Sequence, residues 1–364
     1  MSLKEQLSKM FLNRSNSYRF YKEYYDARNV TDSNKELKKL KKEFKKFKKE
    51  NEQFKRNTNV YIDSCNYLFN NIYLDYTHKP TKTLQNIKIL CAELLVFVNK
   101  VCEKHDIQWW LDYGTLLGAV RHEGFVPWDD DVDIAMTRKN YNKFIKIIYE
   151  EVENNNLRDF IDIDYRRKDS NGDQSIHTRN DTGNHLVRTF MQLWIKRPIN
   201  DINSILGGVD IFPYDYITAF HYSDIEKDFQ NARTKYYKNL DNKMSYIDSL
   251  QILYKDLELS MNETDWLIPG VETSYGRPYE SFKLQTFDRT KVFPLKKTKF
   301  EVYEFPIPND SDYYLKKVYG KYHNIPKSVY RHNRIDNFRH VQNADELFEE
   351  CIDRMREAND NFKF

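Results

Sequence analysis

Four aspartates fall within five consecutive positions, at Asp129, Asp130, Asp131 and Asp133. Carboxylates this close repel one another and raise each other's pKa, which a folded protein tolerates mainly when a cation lies between them. On a strand, Asp129, Asp131 and Asp133 would share one face, and Asp130 would point the other way. The pattern predicts a divalent metal site, with Mg²⁺ as the natural ion because it combines carboxylate ligands with water and phosphate.

A turn of small residues, Gly114 and Thr115, precedes the carboxylates and opens a predicted short helix. The first turn of a helix leaves backbone N–H groups unpaired and its dipole favours an anion, so this turn is a candidate for binding phosphate. Gly118 belongs to the same motif and is included among the candidates. Arg121 and His122 either steady the phosphates or simply end the helix, and the sequence leaves both interpretations open.

The metal ligands cannot all meet on a straight strand. Asp131 and Asp133 are about 6.6 Å apart along a strand and can bracket one or two metals, whereas Asp129, about 13 Å from Asp133, needs a bend. Pro127 and Trp128 stand where that bend is required.

A further carboxylate is expected from a neighbouring strand, and Asp210 is the candidate. It lies in an apolar segment, where an aspartate without a partner would be costly. Asp210 is predicted either to complete the metal site or to act as the general base for an acceptor hydroxyl. The alternative is that Asp210 caps a turn or pairs with a nearby arginine.

The hydrophobic periodicity predicts an α+β fold, with a mixed sheet flanked by helices. An amphipathic helix is expected over residues 84–105, where the core begins. Predicted strands cover residues 107–111, 130–136, 160–165, 186–195, 209–212 and 293–308. Predicted helices cover residues 115–122, 138–153, 222–261 and 310–319, with another from about residue 344. The composition of residues 166–184 predicts a mobile loop that could close over a substrate.

The N-terminal region is predicted to be a helical arm over residues 1–82, followed by a catalytic domain over 83–335 and a C-terminal helix over 336–364.

A capping box at Ser33 starts a basic helix to about Arg56, with an apolar heptad stripe. We interpret residues 33–56 as a short parallel coiled coil that forms a homodimer. A solvated helix packed on its own domain, or a basic helix lying on an anionic membrane, are the alternatives. Residues 8–28 are either an interfacial helix or a cap on the domain.

The composition excludes several classes of protein. Hydrophobic residues make up 40% of the 364 positions and aromatic residues 15%, so a sizeable core can form. Residues 35–56 hold eleven basic and four acidic side chains, against a net charge of +3 for the whole chain. The basicity is therefore local to the arm, and no nucleic-acid partner is expected.

Four widely spaced cysteines fit a reducing cytosol, and no apolar run is long enough to span a bilayer. The predicted location is the cytoplasm, with peripheral contact at the inner membrane face through the arm as an option.

The motif from Gly114 to Ile134 strongly resembles the LicD family of phosphocholine transferases, to which the fukutin-related proteins are also similar. Three further segments occur in the order found in that family, at residues 209–215, at Phe293-Pro294 and at residues 319–326. The resemblance covers roughly residues 84–330.

The resemblance implies a nucleotidyltransferase-like core that holds Mg²⁺, or Mn²⁺, and a nucleotide diphosphate. Carried over residue by residue, it implies that Asp129, Asp131, Asp133 and Asp210 form the metal site. Of these, Asp131, Asp133 and Asp210 are the expected catalytic residues. It further implies a CDP-linked donor such as CDP-choline and a cell-surface glycan precursor as acceptor, with release of CMP. The cysteine zinc site of the fukutin-related members has no counterpart among residues 160–210, so no zinc is predicted.

The alcohol that is transferred is left open by the sequence. Choline needs an aromatic cage for its quaternary ammonium, for which Trp110, Tyr113 and Trp128 are candidates, although core packing explains each of them as well. Glycerol phosphate, ribitol phosphate or phosphoethanolamine transfer is an alternative. Two further alternatives for the function are nucleotidyl transfer with pyrophosphate release and a non-catalytic scaffold.

Overall fold

The structure is a computed structural model. It describes residues 34–71, 81–164, 167–168, 174–175, 178–180, 185–187, 190–199, 202–218, 225–242, 244–271, 285–324, 338, 341 and 343–364. The chain divides into two compact units. One contains residues up to Tyr76 together with Ile325–Lys327, and the other contains Thr77–Asn324 and Ser328–Phe364.

Within the first unit, the described residues form one long helix, α1 (Asn34–Asn71). The predicted coil region is therefore helical, and the helix continues 15 residues beyond the expected end at Arg56. The apolar spacing of the coil region persists beyond that point, with Tyr61 and Leu68 at the same heptad position as Phe54. The predicted cap at Ser33 and residues 8–28 lie outside the described residues.

The second unit is an α+β domain, as predicted. Its helices are α2 (Lys82–Lys104), α3 (Tyr113–His122), α4 (Arg138–Asn154), α5 (Ile225–Asp241), α6 (Tyr246–Asp256), α7 (Arg289–Val292), α8 (Ser311–Tyr319) and α9 (Ala344–Asp360). Its strands are β1 (Trp110–Leu111), β2 (Val132–Thr137), β3 (Ile161–Asp164), β4 (Arg167–Lys168), β5 (Gln174–Ser175), β6 (Thr178–Asn180), β7 (His185–Val187), β8 (Met191–Ile199), β9 (Ile202–Ile217), β10 (Leu259–Ser260), β11 (Trp266–Pro269), β12 (Phe287–Asp288), β13 (Lys296–Phe300) and β14 (Tyr303–Ile307).

Strand β9 organises the main sheet. It pairs in parallel with β2, and antiparallel with β8, β10 and β11. The path β1-β2-β9-β11-β12 is completed by β3, which pairs with β8. The sequence predicted only residues 209–212 of this 16-residue strand. The rest was missed because Gly207 and Gly208 interrupt the apolar pattern on one side, and Pro213 and Asp215 interrupt it on the other.

Helix α2 lies against β9 and carries much of the core. A Cβ added at Gly207 would be 2.8 Å from the sulfur of Cys91, so the glycine lets helix and strand approach closely. The buried carboxylate of Glu93 accepts hydrogen bonds from Tyr303, from Arg356 and from Asn359. These contacts fasten β14 and the C-terminal helix α9 to α2.

Helix α4 is joined to β9 by a buried ion pair. The Arg138 guanidinium donates to both carboxylate oxygens of Asp215, at 2.8 and 2.9 Å, and both side chains are almost fully buried. The Tyr254 hydroxyl donates to the same carboxylate. Because a buried charge without its partner is costly, the ion pair holds α4 against β9, and the Tyr254 hydrogen bond brings α6 to the same carboxylate.

Several predicted boundaries were wrong. The single helix expected over residues 222–261 is two helices and a short strand, α5, α6 and β10. The loop expected over residues 166–184 contains the strand pair β4–β5 and part of the pair β6–β7. Residues 293–308 form a hairpin, β13–β14, whose turn holds Glu301 at a positive φ of 55°. Among the described residues, no helix is both long enough and apolar enough to cross a bilayer.

Candidate active site

The carboxylate motif begins with a tight turn. The backbone N–H of Asp129 donates to the carbonyl of Val126 at 3.0 Å, which places Pro127 and Trp128 at the centre of the turn. The bend expected at these two residues is therefore present. It brings Asp129 back towards the start of β2 instead of leaving it at the far end of an extended strand.

Three of the aspartates converge. One carboxylate oxygen from each of Asp129, Asp130 and Asp131 lies within 4.8 Å of the other two. The expectation that Asp130 points away is wrong, because β2 begins only at Val132 and the alternation of a strand does not apply before it. Asp130 and Asp131 are both buried.

Gly114 lies beneath these carboxylates. A Cβ built on Gly114 would be 2.6 Å from Oδ2 of Asp129 and 3.7 Å from Oδ2 of Asp133. A side chain there would displace Asp129, so the structure explains the glycine by the approach of two carboxylates to the N-terminus of α3.

Asp133 and Asp210 are direct partners across the parallel strands β2 and β9. On its other side, β9 pairs Asp210 with Gln192, whose side-chain amide donates to Asp210 at 2.7 Å. Burial and the charges of Asp131 and Asp210 raise the pKa of Asp133 well above its ordinary value. Asp210, predicted from its apolar surroundings, therefore lies beside the cluster.

Thr115 ties the turn to the strand. Its hydroxyl accepts a hydrogen bond from the backbone N–H of Asp133 at 2.8 Å, and its side chain is buried. This contact positions Asp133, while phosphate binding by the Gly114 and Thr115 amides stays a prediction. The first backbone hydrogen bond of α3 runs from Leu116 to the carbonyl of Asp112, so the preceding amides have no intrahelical acceptor.

Sequence reasoning missed the residue that holds this turn, Asp112. Its carboxylate accepts from the backbone N–H of Tyr113 at 2.8 Å, and from the hydroxyls of Tyr214 and Tyr314 at 2.8 and 2.9 Å. Burial raises the pKa of Asp112 to about 6, although these hydrogen bonds lower it. The signal for this role in the sequence is an aspartate at the N-cap position before the Gly-Thr turn.

Gly118 and Arg121 contact protein groups. A Cβ on Gly118 would be 2.3 Å from the carbonyl oxygen of Gly124, so close packing alone requires a glycine there. Arg121 donates to the carbonyl of Tyr322 and to the His122 ring, both at 2.8 Å. Burial, with the positive charge of Arg121, lowers the pKa of His122 to about 4, so His122 is neutral at pH 7. Phosphate binding by these residues stays a prediction.

The three cage candidates lie in different environments. Trp110 is fully buried, packs on Tyr214 and Phe293, and donates to Tyr314, so it offers no surface to a ligand. The Tyr113 ring is half-buried, with its edge against Phe212, and Trp128 is half-buried in the turn. Only Tyr113 and Trp128 are retained for a choline site.

Tyr319 is another residue near the cluster that sequence reasoning did not place in the site. Tyr319 is 42% exposed as a whole, but desolvation of its hydroxyl end and the charges of Asp133, Asp112 and Asp129 raise its pKa above the ordinary value. Tyr319 ends α8 and starts the third segment that the sequence linked to the carboxylates. This end of α8 therefore lies near the carboxylates.

The donor set fits a small, hard cation. Ligand oxygens about 2.1 Å from Mg²⁺ lie no more than about 4.2 Å from one another, close to the observed spacing. Asp129, Asp130 and Asp131 would supply the nearest oxygens, with Asp133 and Asp210 beside them. The mutual repulsion that raises the pKa of Asp133 is the kind that a cation relieves.

Comparison with known proteins agrees with this geometry. Residues 106–254 match the profile of the family described as LicD/FKTN/FKRP, nucleotidyltransferase domain. A segment of 69 residues is 41% identical to the lipopolysaccharide cholinephosphotransferase LicD of Haemophilus influenzae and covers 19% of this chain and 26% of that protein. A segment of 40 residues is 45% identical to the human ribitol 5-phosphate transferase FKRP and covers 11% of this chain and 8% of that protein.

The matched segments thus span about a quarter or less of these relatives. They nonetheless agree with the domain match, which contains the Gly114 turn, the carboxylate cluster and Asp210. Residues 106–254 are therefore similar to the nucleotidyltransferase domain of the LicD/FKTN/FKRP family.

Proposed function

We propose that this protein transfers a phospho-alcohol, phosphocholine first among the candidates, from a CDP-linked donor to a hydroxyl of a cell-surface glycan precursor. The convergence of Asp129, Asp130 and Asp131 on the N-terminal side of the Gly114 helix, beside the Asp133–Asp210 pair, carries this proposal. The cholinephosphotransferase activity named for the Haemophilus influenzae relative supports the choice of alcohol.

The reaction balances as an in-line displacement at phosphorus. The acceptor oxygen forms a bond to the phosphorus that carries the alcohol, the bridging P–O bond breaks, and CMP leaves with the bond electrons. The proton of the acceptor hydroxyl passes to a carboxylate. A bound Mg²⁺ would supply neutralisation of the phosphate charge.

The residues of the chain have distinct proposed roles. Asp129, Asp131 and Asp133 hold the metal, and Asp130, which converges with Asp129 and Asp131, is added to this set. Asp210 is either a further ligand or the general base. The amides of Gly114 and Thr115 face a phosphate oxygen, and Gly118, Arg121 and His122 stay as secondary candidates for phosphate contact.

Product analysis tests the proposal. The protein is incubated with Mg²⁺, a glycan acceptor and, in separate reactions, CDP-choline, CDP-ethanolamine, CDP-glycerol and CDP-ribitol. We expect CMP from CDP-choline, and none from the Asp131→Asn variant. Asp353→Asn, which neutralises an exposed aspartate on α9, is the matched control and should retain activity. CMP release by Asp131→Asn at the wild-type rate would refute the proposed site.

Two other outcomes have support. The human relative is named a ribitol 5-phosphate transferase, so CMP from CDP-ribitol alone would assign ribitol phosphate instead of phosphocholine. The domain family is a nucleotidyltransferase family, so pyrophosphate from CTP would indicate nucleotidyl transfer.

We further propose that α1 mediates dimerisation. Phe54, Tyr61 and Leu68 recur every seven residues along the helix and are 38%, 61% and 40% exposed. In the heptad frame of residues 33–56, Cys65 falls at the a position, which faces the same residue of a partner in a parallel coil. A basic helix lying on an inner membrane surface, which would fit a cytoplasmic enzyme with a lipid-linked acceptor, is the alternative.

A further inference from the structure

Helix α2 contributes one charged side chain to the loop that carries the carboxylates. The Lys88 ammonium donates to the carbonyl oxygens of Val126 and Pro127, both at 3.0 Å. Lys88 is only 8% exposed. A buried ammonium needs such partners, because its desolvation is otherwise not offset.

Of these two carbonyls, that of Val126 has a second role. The carbonyl of Val126 also accepts from the backbone N–H of Asp129 and so closes the turn. Lys88 therefore holds the base of the turn whose last residue is the carboxylate above Gly114. Cys91, one helical turn after Lys88, places its sulfur 3.8 Å from the carbonyl oxygen of Asp130. One face of α2 thus contacts the loop on both sides of Asp129.

Lys88 also lies among negative charges. The charges of Asp129, Glu301 and Asp130 favour its protonated form, although burial lowers the pKa of Lys88 overall. Glu301 itself accepts from the backbone N–H of Phe125 at 3.0 Å, just before the turn. The loop is therefore held from α2 by Lys88 and from the β13–β14 hairpin by Glu301.

We propose that Lys88 is a positioning residue that fixes the Val126–Asp129 turn and thereby sets the affinity of the carboxylate cluster for its divalent cation. The inference rests on the proposed function, because it takes Asp129 as a metal ligand. Residues that orient metal ligands typically change metal affinity about 10–100-fold when they are lost.

Two simpler roles for Lys88 predict different effects of its loss on cation binding. If Lys88 only balanced the charge of the aspartates, removing it would tighten cation binding, because a repulsive positive charge would be gone. If it only tied α2 to a loop, its loss would lower stability without changing the cation affinity. Lys100 provides the matched control, because it lies on the same helix and donates to the carbonyl of Asn359, away from the aspartates.

The experiment compares the wild-type chain of residues 1–364 with Lys88→Met, Lys88→Arg and Lys100→Met. Hydrogen exchange of the peptide covering residues 125–131 reports on the turn without any metal. Titration with Mn²⁺, followed by the electron paramagnetic resonance of the free ion, reports on the cluster without any donor substrate. Circular dichroism checks that each variant is folded.

We expect Lys88→Met to exchange faster over residues 125–131 and to bind Mn²⁺ about 10–100-fold more weakly. Lys88→Arg should recover part of the protection from exchange and part of the Mn²⁺ affinity, because it keeps a donor. Lys100→Met should match the wild type in both measurements. Unchanged exchange in folded Lys88→Met would overturn the proposal, as would unchanged or tighter Mn²⁺ binding. Absence of Mn²⁺ binding by the wild type would refute the proposed metal site, and exchange would still decide whether Lys88 holds the turn.

Discussion

Gly114 lies so close to Asp129 that a Cβ on the glycine would be 2.6 Å from the carboxylate oxygen. Real Cβ contacts are essentially never that short, so any side chain at position 114 must move the aspartate. The relationship couples the turn proposed to bind phosphate to the group proposed to bind metal.

Gly114→Ala is therefore expected to impair activity much more than stability. Displacement of a reacting or positioning group by about 1 Å can cost about 100-fold in rate, and we expect a loss of at least that order in CMP release. The Mn²⁺ affinity should fall as well, while the melting temperature changes little because alanine suits a helical first turn. Wild-type activity and Mn²⁺ affinity in this variant would contradict the proposed overlap of the two sites.

Asp210→Asn tests how the remote carboxylate works. Asparagine keeps the size of the side chain and an acceptor for the Gln192 amide, so the fold should be retained. We expect at least a 100-fold loss of CMP release, the range that general acid–base groups contribute. If Asp210 is the general base, the Mn²⁺ affinity stays unchanged; if it is a ligand, the affinity falls together with the rate. Full activity would remove Asp210 from the mechanism.

Asp112 should make stability depend on pH in an unusual direction. Its folded pKa of about 6 lies above the value of 3.8 expected when unfolded. The carboxyl therefore contributes stability that is fully present below pH 3.8 and is lost as the pH rises through 6. Relative to Asp112→Asn, which does not titrate, the wild type should gain about 1 kcal/mol in free energy of unfolding from pH 7.5 to pH 5. Urea titrations at both pH values check this, and a constant difference would show that the pKa is not raised.

The choline assignment makes a separate prediction about Trp128. A half-buried indole beside the cluster can contact a quaternary ammonium face-on, which is worth about 0.5–2 kcal/mol. Trp128→Ala should therefore raise the KM for CDP-choline by about 2- to 30-fold and change the KM for CDP-glycerol less. Because the turn can also be disturbed, Trp128→Phe is included and should recover most of the affinity. Equal changes for both donors would indicate that Trp128 only shapes the turn.

The site could be predicted from the sequence where its parts are local. Four aspartates, a Gly-Thr turn and the Pro127-Trp128 bend are neighbours in the chain, and their spacing indicates what they can do. Asp210 was identified because an aspartate stands out in an apolar segment. The direction of Asp130 was predicted wrongly, since a strand pattern was extended beyond the first residue of β2, Val132.

Contacts between distant segments could not be predicted in the same way. Tyr314 is 202 residues from Asp112, and Lys88 is 38 residues from Val126. A tyrosine or lysine in an amphipathic helix gives no sign of which loop it will meet, because that depends on how the helix packs on the sheet. The length of β9 was missed for the same reason, since its pairing with β8, β2 and β11 overrides a weak local preference.

The dimer proposal can be tested at Cys65. In a parallel coil along α1, the two copies of an a-position residue face each other, so mild copper–phenanthroline oxidation should link Cys65 to its counterpart. The other three cysteines are buried, which leaves Cys65 as the accessible thiol of the chain. We expect a covalent dimer in the wild type and none in Cys65→Ser. The Cys65→Ser, Asn59→Cys double variant, which moves the thiol to a b position on the outer side of the coil, should also give little dimer. Equal crosslinking of the wild type and the double variant would reject the coil, and flotation of the monomer with anionic vesicles would then favour the membrane alternative.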